Sequence, residues 1–116
     1  RFLKLNVSGA FHSPFMNESS SKFSEYLKQI QFKKPSFPVI SNCEPSLCSD
    51  ANELKIRLEK QMCNGVRWRE TMDLMAKDSD LHIVEIGPSN VLSGLGKRHL
   101  KGVKISQVSS SDQISY

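Results

Sequence analysis

Leu81-His82-Ile83-Val84-Glu85-Ile86-Gly87-Pro88-Ser89-Asn90-Val91-Leu92 is the stretch that decides the fold class. Its first six residues are an apolar, β-branched run that reads as a buried strand. Gly87-Pro88 breaks the run, and residues 90 to 100 then carry a helical pattern. Gly94 and Gly96 inside that helix cost helix stability, which points to close packing against a neighbour. Val103-Lys104-Ile105 follows as a short strand. A strand–helix–strand connection of this kind suits a parallel pair covered by a helix.

The same alternation extends towards the start of the chain. Trp68, Met72 and Met75 share one face of a helix over about 67–78 and read as core. A helix over about 51–63, capped by Ser49 or Asp50, turns Leu54, Leu58 and Met62 inward. Asn64-Gly65 reads as its left-handed C-terminal stop. Asn42 through Asp50 is a polar loop, Val39-Ile40-Ser41 a short strand, and Lys33 through Pro38 an extended link. Before them lies a helix over about 14–30. Ser13 is its expected cap, Pro14 its first residue, and Phe23, Tyr26, Leu27 and Ile30 its apolar face; Ser19-Ser20-Ser21 weakens its first turns. Phe2 through Val7 reads as a strand. The order β-α-β-α-α-β-α-β predicts an α/β fold with a mainly parallel sheet. Ser109 through Asp112 reads as a fraying tail.

The chain has 116 residues, 38% hydrophobic and 24% charged, as expected for one small globular domain. No apolar run approaches the roughly 18 residues of a membrane span, so no membrane partner is expected. The net charge of +4 favours an acidic partner or an anionic substrate. Its lysines and arginines are not clustered with aromatics, so no nucleic acid is expected. Arg1 leads at once into an apparent strand with no initiator methionine, which looks like a piece of a longer protein. Cys43, Cys48 and Cys63 are an odd set without a CxxC spacing, so free thiols in a reducing compartment are expected. The three histidines lie far apart without ligand spacing, and no metal site is expected.

One loop invites a chemical reading. His12 sits in the small-residue stretch Ser8-Gly9-Ala10-Phe11-His12-Ser13 between a strand and a helix, where α/β enzymes place catalytic groups, and histidine exchanges protons near neutral pH. A hydrogen-bonded structural histidine would fit the same loop. Gly87-Pro88-Ser89 is not a Walker, GxGxxG or GxSxG motif, although the helix dipole beyond it could hold an anion. No GxSxG occurs anywhere and no cysteine has an activating neighbour. If His12 is a general base, its nucleophile lies outside these residues. Gln61 stands in the last turn of its helix, where a carbonyl without an intrahelical partner could accept a proton from a histidine ring and fix its tautomer. The residues alone do not pair Gln61 with His12.

Three segments together resemble the malonyl-CoA:acyl carrier protein transacylase family. They are Val7-Ser8-Gly9-Ala10-Phe11-His12-Ser13-Pro14-Phe15-Met16, then Pro38-Val39-Ile40-Ser41-Asn42 with Gln61 through Trp68, and Val84 through Leu95. The resemblance covers nearly the whole chain but only the C-terminal part of such an enzyme. It implies the C-terminal part of an α/β-hydrolase-like large subdomain over 8–108. Residues 1–7 would be the last strand of a ferredoxin-like small subdomain, and 109–116 a tail. It also implies a malonyl-serine intermediate in transfer from malonyl-CoA to the phosphopantetheine thiol of acyl carrier protein, without a cofactor beyond these substrates. His12 matches the family's catalytic histidine and Gln61 the glutamine whose main-chain carbonyl orients it. Phe11 matches the bulky residue tied to selection of malonyl over methylmalonyl. The serine, the carboxylate-clamping arginine and an oxyanion-hole glutamine would come from the N-terminal remainder of the protein. Gly65 stands where many members have proline, and Ser89 where glycine is common. Acyl carrier protein is acidic in this family, which fits the net charge and Lys97, Arg98 and Lys101. These cations also suit a helix C-terminus for purely local reasons. An acyltransferase domain of a polyketide synthase, a non-catalytic carrier-protein-binding module, and an unrelated α/β domain with a structural His12 are the other readings. The sequence does not separate bacterial cytoplasm, plastid and mitochondrion.

Overall fold

The computed structural model describes residues 9–114; the expected strand over 2–7 lies outside them. Two units divide the chain, Arg1–Thr71 and Met72–Tyr116.

In the first unit, Pro14–Met16 forms one 3-10 turn ahead of α1, Asn17–Lys28. The proline fixes φ for this turn, but Ser13 makes no cap bond to it. Instead Ser13 Oγ donates to Ala10 O at 2.6 Å. Within α1, Leu27 is buried and Tyr26 exposed, and Ile30, two residues past its end, is exposed too. Strand β1, Val39–Ile40, pairs antiparallel with β2, Leu47–Cys48. The expected polar loop over 42–50 therefore contains a strand. Two residues in a polar surrounding carry no period-2 pattern that would announce one.

Helix α2, Ala51–Gln61, starts on Asp50, whose side chain accepts from Glu53 N at 2.8 Å. It packs on α1, where Lys55 Nζ donates to Ile30 O at 2.9 Å. Its burial differs from the apolar reading: Arg57 is buried and Leu58 is exposed. The guanidinium is stabilised there by ions and carbonyls, which lets a charge replace an aliphatic side chain. Nor does Gly65 stop the helix in a left-handed conformation, since the positive-φ glycines among the described residues are Gly87 and Gly102.

Helix α3, Trp68–Met75, contains the division between the units. In the second unit β3, His82–Ile86, runs parallel to β4, Lys104–Val108, with α4, Val91–His99, between them in sequence and packed on β4. The β-α-β reading of this region holds, but a single mainly parallel sheet does not. Among the described residues there are two separate two-stranded ladders, one antiparallel and one parallel. Strand β3 is also not buried throughout. Its alternate residues His82, Val84 and Ile86 are exposed, while Ile83 is half-buried and Glu85 buried. With a period of two, one covered face hides only every second residue.

Gly96 makes the expected close approach, since a Cβ there would lie 2.9 Å from Ile105 Cδ1 of β4; at Gly94 it would meet only the Arg98 guanidinium, at 3.9 Å. The expected fraying tail holds one 3-10 turn, Ser111–Gln113. Gln113 Oε1 there accepts from Ser109 N at 2.7 Å. All three cysteines are free. No helix among the described residues is long and apolar enough to cross a membrane.

Candidate active site

His12 is the described non-glycine residue with positive φ, at 63°. A left-handed backbone at a bulky residue costs of order 1–3 kcal/mol and persists only where surrounding bonds impose it. Here the end of α2 imposes it. The His12 N–H donates to Met62 O at 3.0 Å. The ring turns the same way, with Nδ1 3.0 Å from Gln61 O and 3.2 Å from Asn64 O.

Carbonyls only accept, so Nδ1 carries the proton whether the ring is neutral or charged. The neutral ring then holds its lone pair on Nε2, which makes no hydrogen bond among the described residues. The exposed side chain is thus a fixed tautomer with a free basic nitrogen, the arrangement a general base requires. The glutamine side chain plays no part in this; the main-chain carbonyl of Gln61 does.

Several bonds hold the end of α2 in place. Arg57 Nε lies 2.9 Å from Glu53 Oε1 and 3.3 Å from Glu44 Oε2, and Nη1 donates to Ser46 O at 3.0 Å. Lys60 Nζ donates to Glu44 Oε1 at 3.0 Å. That bond to the Lys60 ammonium holds the Glu44 carboxyl below the usual carboxylate range and raises Lys60 in turn. These contacts tie the 44–46 loop to the helix one turn before its carbonyls meet His12. Beyond the helix, the Asn64 amide Nδ2 donates to Lys60 O at 2.6 Å and closes the turn. Sequence reasoning missed Arg57, which sits among apolar positions, and Asn64, which it took only as a stop signal.

Phe11 precedes His12 and is 60% exposed. Its ring lies over Gly9, where a Cβ would come within 2.9 Å of Cε2. The ring is therefore seated on bare backbone next in sequence to the imidazole. Near Gln61, a cavity of about 310 Å³ is lined by Phe32, Ile40, Asn42, Leu54 and Leu58.

The strand-to-helix turn after β3 is built differently from an anion site. Glu85 Oε1 accepts from Leu92 N at 3.1 Å and Oε2 from Ser93 N at 2.7 Å. The protein's own carboxylate thus occupies the N-terminus of α4, where the sequence left room for an anion. The Ser93 hydroxyl and these two main-chain N–H groups hold Glu85 below the usual carboxylate range, against the opposing effect of burial. The N–H bonds are the firmer cause, because Ser93 Oγ meets no partner at strict hydrogen-bond geometry. Gln107 Nε2 donates to Ser89 O at 2.6 Å and secures the same turn from β4. At the other end of α4, His99 Nε2 lies 2.6 Å from Asp73 Oδ1. Among the described residues no three histidine, cysteine, aspartate or glutamate side chains gather in a way that could hold a metal ion.

No protein-family model matches the chain. The malonyl CoA-acyl carrier protein transacylase of Synechocystis sp. is 37% identical over 115 residues, 99% of this chain and 39% of the relative. The crystal structure of the Synechocystis enzyme superposes with a TM-score of 0.86 at 39% identity, over 93% of this chain and 37% of that one. The polyketide biosynthesis malonyl CoA-acyl carrier protein transacylase PksC of Bacillus subtilis is 40% identical over 93 residues, 80% of this chain and 32% of the relative. A malonyl-transacylase solved in complex with a type II polyketide acyl-carrier protein matches with a TM-score of 0.84 at 31% identity, over 93% of this chain and 35% of that one. The chain thus spans between 32% and 39% of the length of these relatives.

Proposed function

We propose, for a chain that belongs over nearly its whole length to the malonyl-CoA:acyl carrier protein transacylase family, that the protein carrying it transfers malonyl from malonyl-CoA to the phosphopantetheine thiol of an acyl carrier protein. His12 acts as its general base. The observation that carries this reading is the His12 ring, held through Nδ1 by the Gln61 carbonyl at 3.0 Å with Nε2 left free.

The chemistry follows from that nitrogen. A serine hydroxyl from the part of the protein outside these residues gives its proton to Nε2 as its oxygen bonds to the thioester carbonyl carbon. The carbon–sulfur bond then breaks, and the imidazolium returns the proton to the leaving CoA sulfur. In the second half the carrier thiol gives its proton to Nε2 and bonds to the malonyl carbon. The serine oxygen leaves with that proton. Phe11 walls the space beside the acyl α-carbon, and the exposed Lys97, Arg98 and Lys101 face the acidic carrier. CoA thioesters and carrier proteins are intracellular, so the reaction is placed inside the cell.

In the full-length protein, His12→Ala is expected to lower malonyl transfer by at least about a hundredfold, the loss of a positioned base. His12→Asn serves as the folding control, because asparagine adopts the left-handed backbone readily. It should match the alanine variant in activity while keeping the parent's thermal midpoint. Near-normal turnover by either variant overturns the assignment.

A second reading is favoured by the relatives named for polyketide biosynthesis, namely that the acceptor is a polyketide carrier protein. Comparing kcat/KM for fatty-acid and polyketide carrier proteins decides between them.

A further inference from the structure

We propose that Asn64 is a positioning residue for His12, supplying a second carbonyl to Nδ1 while its side-chain amide folds the turn that aims both carbonyls. The inference rests on the reading of His12 as the base.

The last turn of a helix leaves carbonyls without intrahelical partners, and at the end of α2 they are shared out in an ordered way. Lys60 O receives the main-chain N–H of Cys63 and of Asn64, both at 3.2 Å, and the Asn64 amide at 2.6 Å. With Lys60 O so engaged, Gln61 O, Met62 O and Asn64 O all turn to His12. Met62 O fixes the backbone; the other two share the ring proton.

Besides the His12 ring itself, Asn64 supplies the side-chain donor of this arrangement among the described residues. An alanine would leave the main-chain N–H bond but lose the amide that pins residue 64 over Lys60. Asn64 O would then drift from Nδ1. An aspartate keeps the size but presents an acceptor to an acceptor, which pushes the turn open. Gly65 gives the turn little rigidity of its own, since it is neither left-handed nor packed: a Cβ there would meet nothing within 4 Å. The amide therefore carries the restraint.

The consequence is a tautomer. A neutral histidine side chain in water prefers the Nε2–H form, which cannot accept a proton at Nε2. Two convergent carbonyls enforce Nδ1–H. With one of them mis-aimed, a share of the protein carries the proton on the wrong nitrogen.

The test combines two readouts on the full-length protein, for Asn64→Ala and for the isosteric Asn64→Asp. Long-range ¹H–¹⁵N NMR of the histidine rings reports the His12 tautomer. Steady-state transfer from malonyl-CoA to holo acyl carrier protein reports kcat and KM. Expected are the Nδ1–H form in the parent, an admixture of Nε2–H in both variants, and kcat lower by about tenfold with KM for malonyl-CoA unchanged. That is a part of the roughly 10²–10⁴-fold that a positioned base supplies. An unchanged tautomer in both variants overturns the positioning role, whatever happens to the rate. A shifted tautomer with unchanged kcat leaves the positioning role standing and overturns His12 as the base. If Asn64→Ala fails to fold, Asn64→Asp alone decides by the same criteria.

Discussion

The side wall proposed at Phe11 shows how much one residue depends on its neighbours in the chain. Gly9 has no Cβ and lets the phenyl ring settle on the backbone, while the left-handed turn at His12 keeps ring and base adjacent. A phenyl ring at the acyl α-carbon leaves little room for a methyl branch, an exclusion worth about 1–3 kcal/mol by size alone. Phe11→Ser should therefore raise the methylmalonyl-to-malonyl ratio of kcat/KM about thirtyfold, near the middle of that range. A competition assay with both thioesters measures it, and an unchanged ratio rejects Phe11 as a selectivity residue. Phe11, His12 and Gln61 could be named from the sequence because their segments carry a recognisable pattern. Asn64 could not be given a role, because its contact to the ring is made by a main-chain carbonyl, and every residue has one. The positive φ of His12 was hidden for a related reason: it is imposed by a carbonyl fifty residues away.

At the scale of the element, the N-terminus of α4 is the point where sequence and structure diverge most usefully. Asn90 makes no side-chain cap bond, and a strand residue caps the helix instead. Glu85 was read as one member of an apolar run, and nothing local distinguishes a strand glutamate on the covered face from one in solvent. The cap exists only because β3 and α4 fold back on each other. Its carboxylate titrates below the usual range in the folded protein, against about 4.3 in an unfolded chain. A lowered folded pKa stabilises above the unfolded pKa, and that contribution disappears as pH falls through the folded value. Glu85→Gln should accordingly be less stable than the parent from about pH 5 upward. The gap between their urea midpoints should close below about pH 4. A gap that stays constant down to the lowest pH would show that the charge on Glu85 is not what holds the helix end. Elsewhere, caps and periodicity located the four helices within a few residues. The missed strand β2 is two residues long and pairs with a strand equally short, and Arg57 is buried by carboxylates and carbonyls of its own helix and the 44–46 loop, neither of which leaves an apolar period to read.

At the scale of the molecule, the chain is apolar where it has nothing to pack against. Phe15, Ile86, Phe37 and Tyr26 are 70–89% exposed, while the buried hydrophobic residues among those described are Leu27, Cys43, Cys48, Met72 and Leu100. The relatives contribute nearly two thirds of their length beyond what this chain matches. The chemistry has the same asymmetry. The imidazole proposed as base is present with two carbonyls on Nδ1, but none of the free thiols and none of the described serines is bonded to His12. A base without a nucleophile accelerates nothing on its own, because the proton it would accept belongs to a group that is not there. The 116-residue chain produced by itself should therefore form no covalent adduct with malonyl-CoA and pass no malonyl group to a carrier protein. Intact-mass spectrometry after incubation, alongside the full-length protein as positive control, checks both statements. Malonylation of the isolated chain at a residue that turns over to the carrier thiol would overturn the assignment of the nucleophile to the remainder of the protein. The proton would then have to reach His12 from one of the chain's own hydroxyls or thiols.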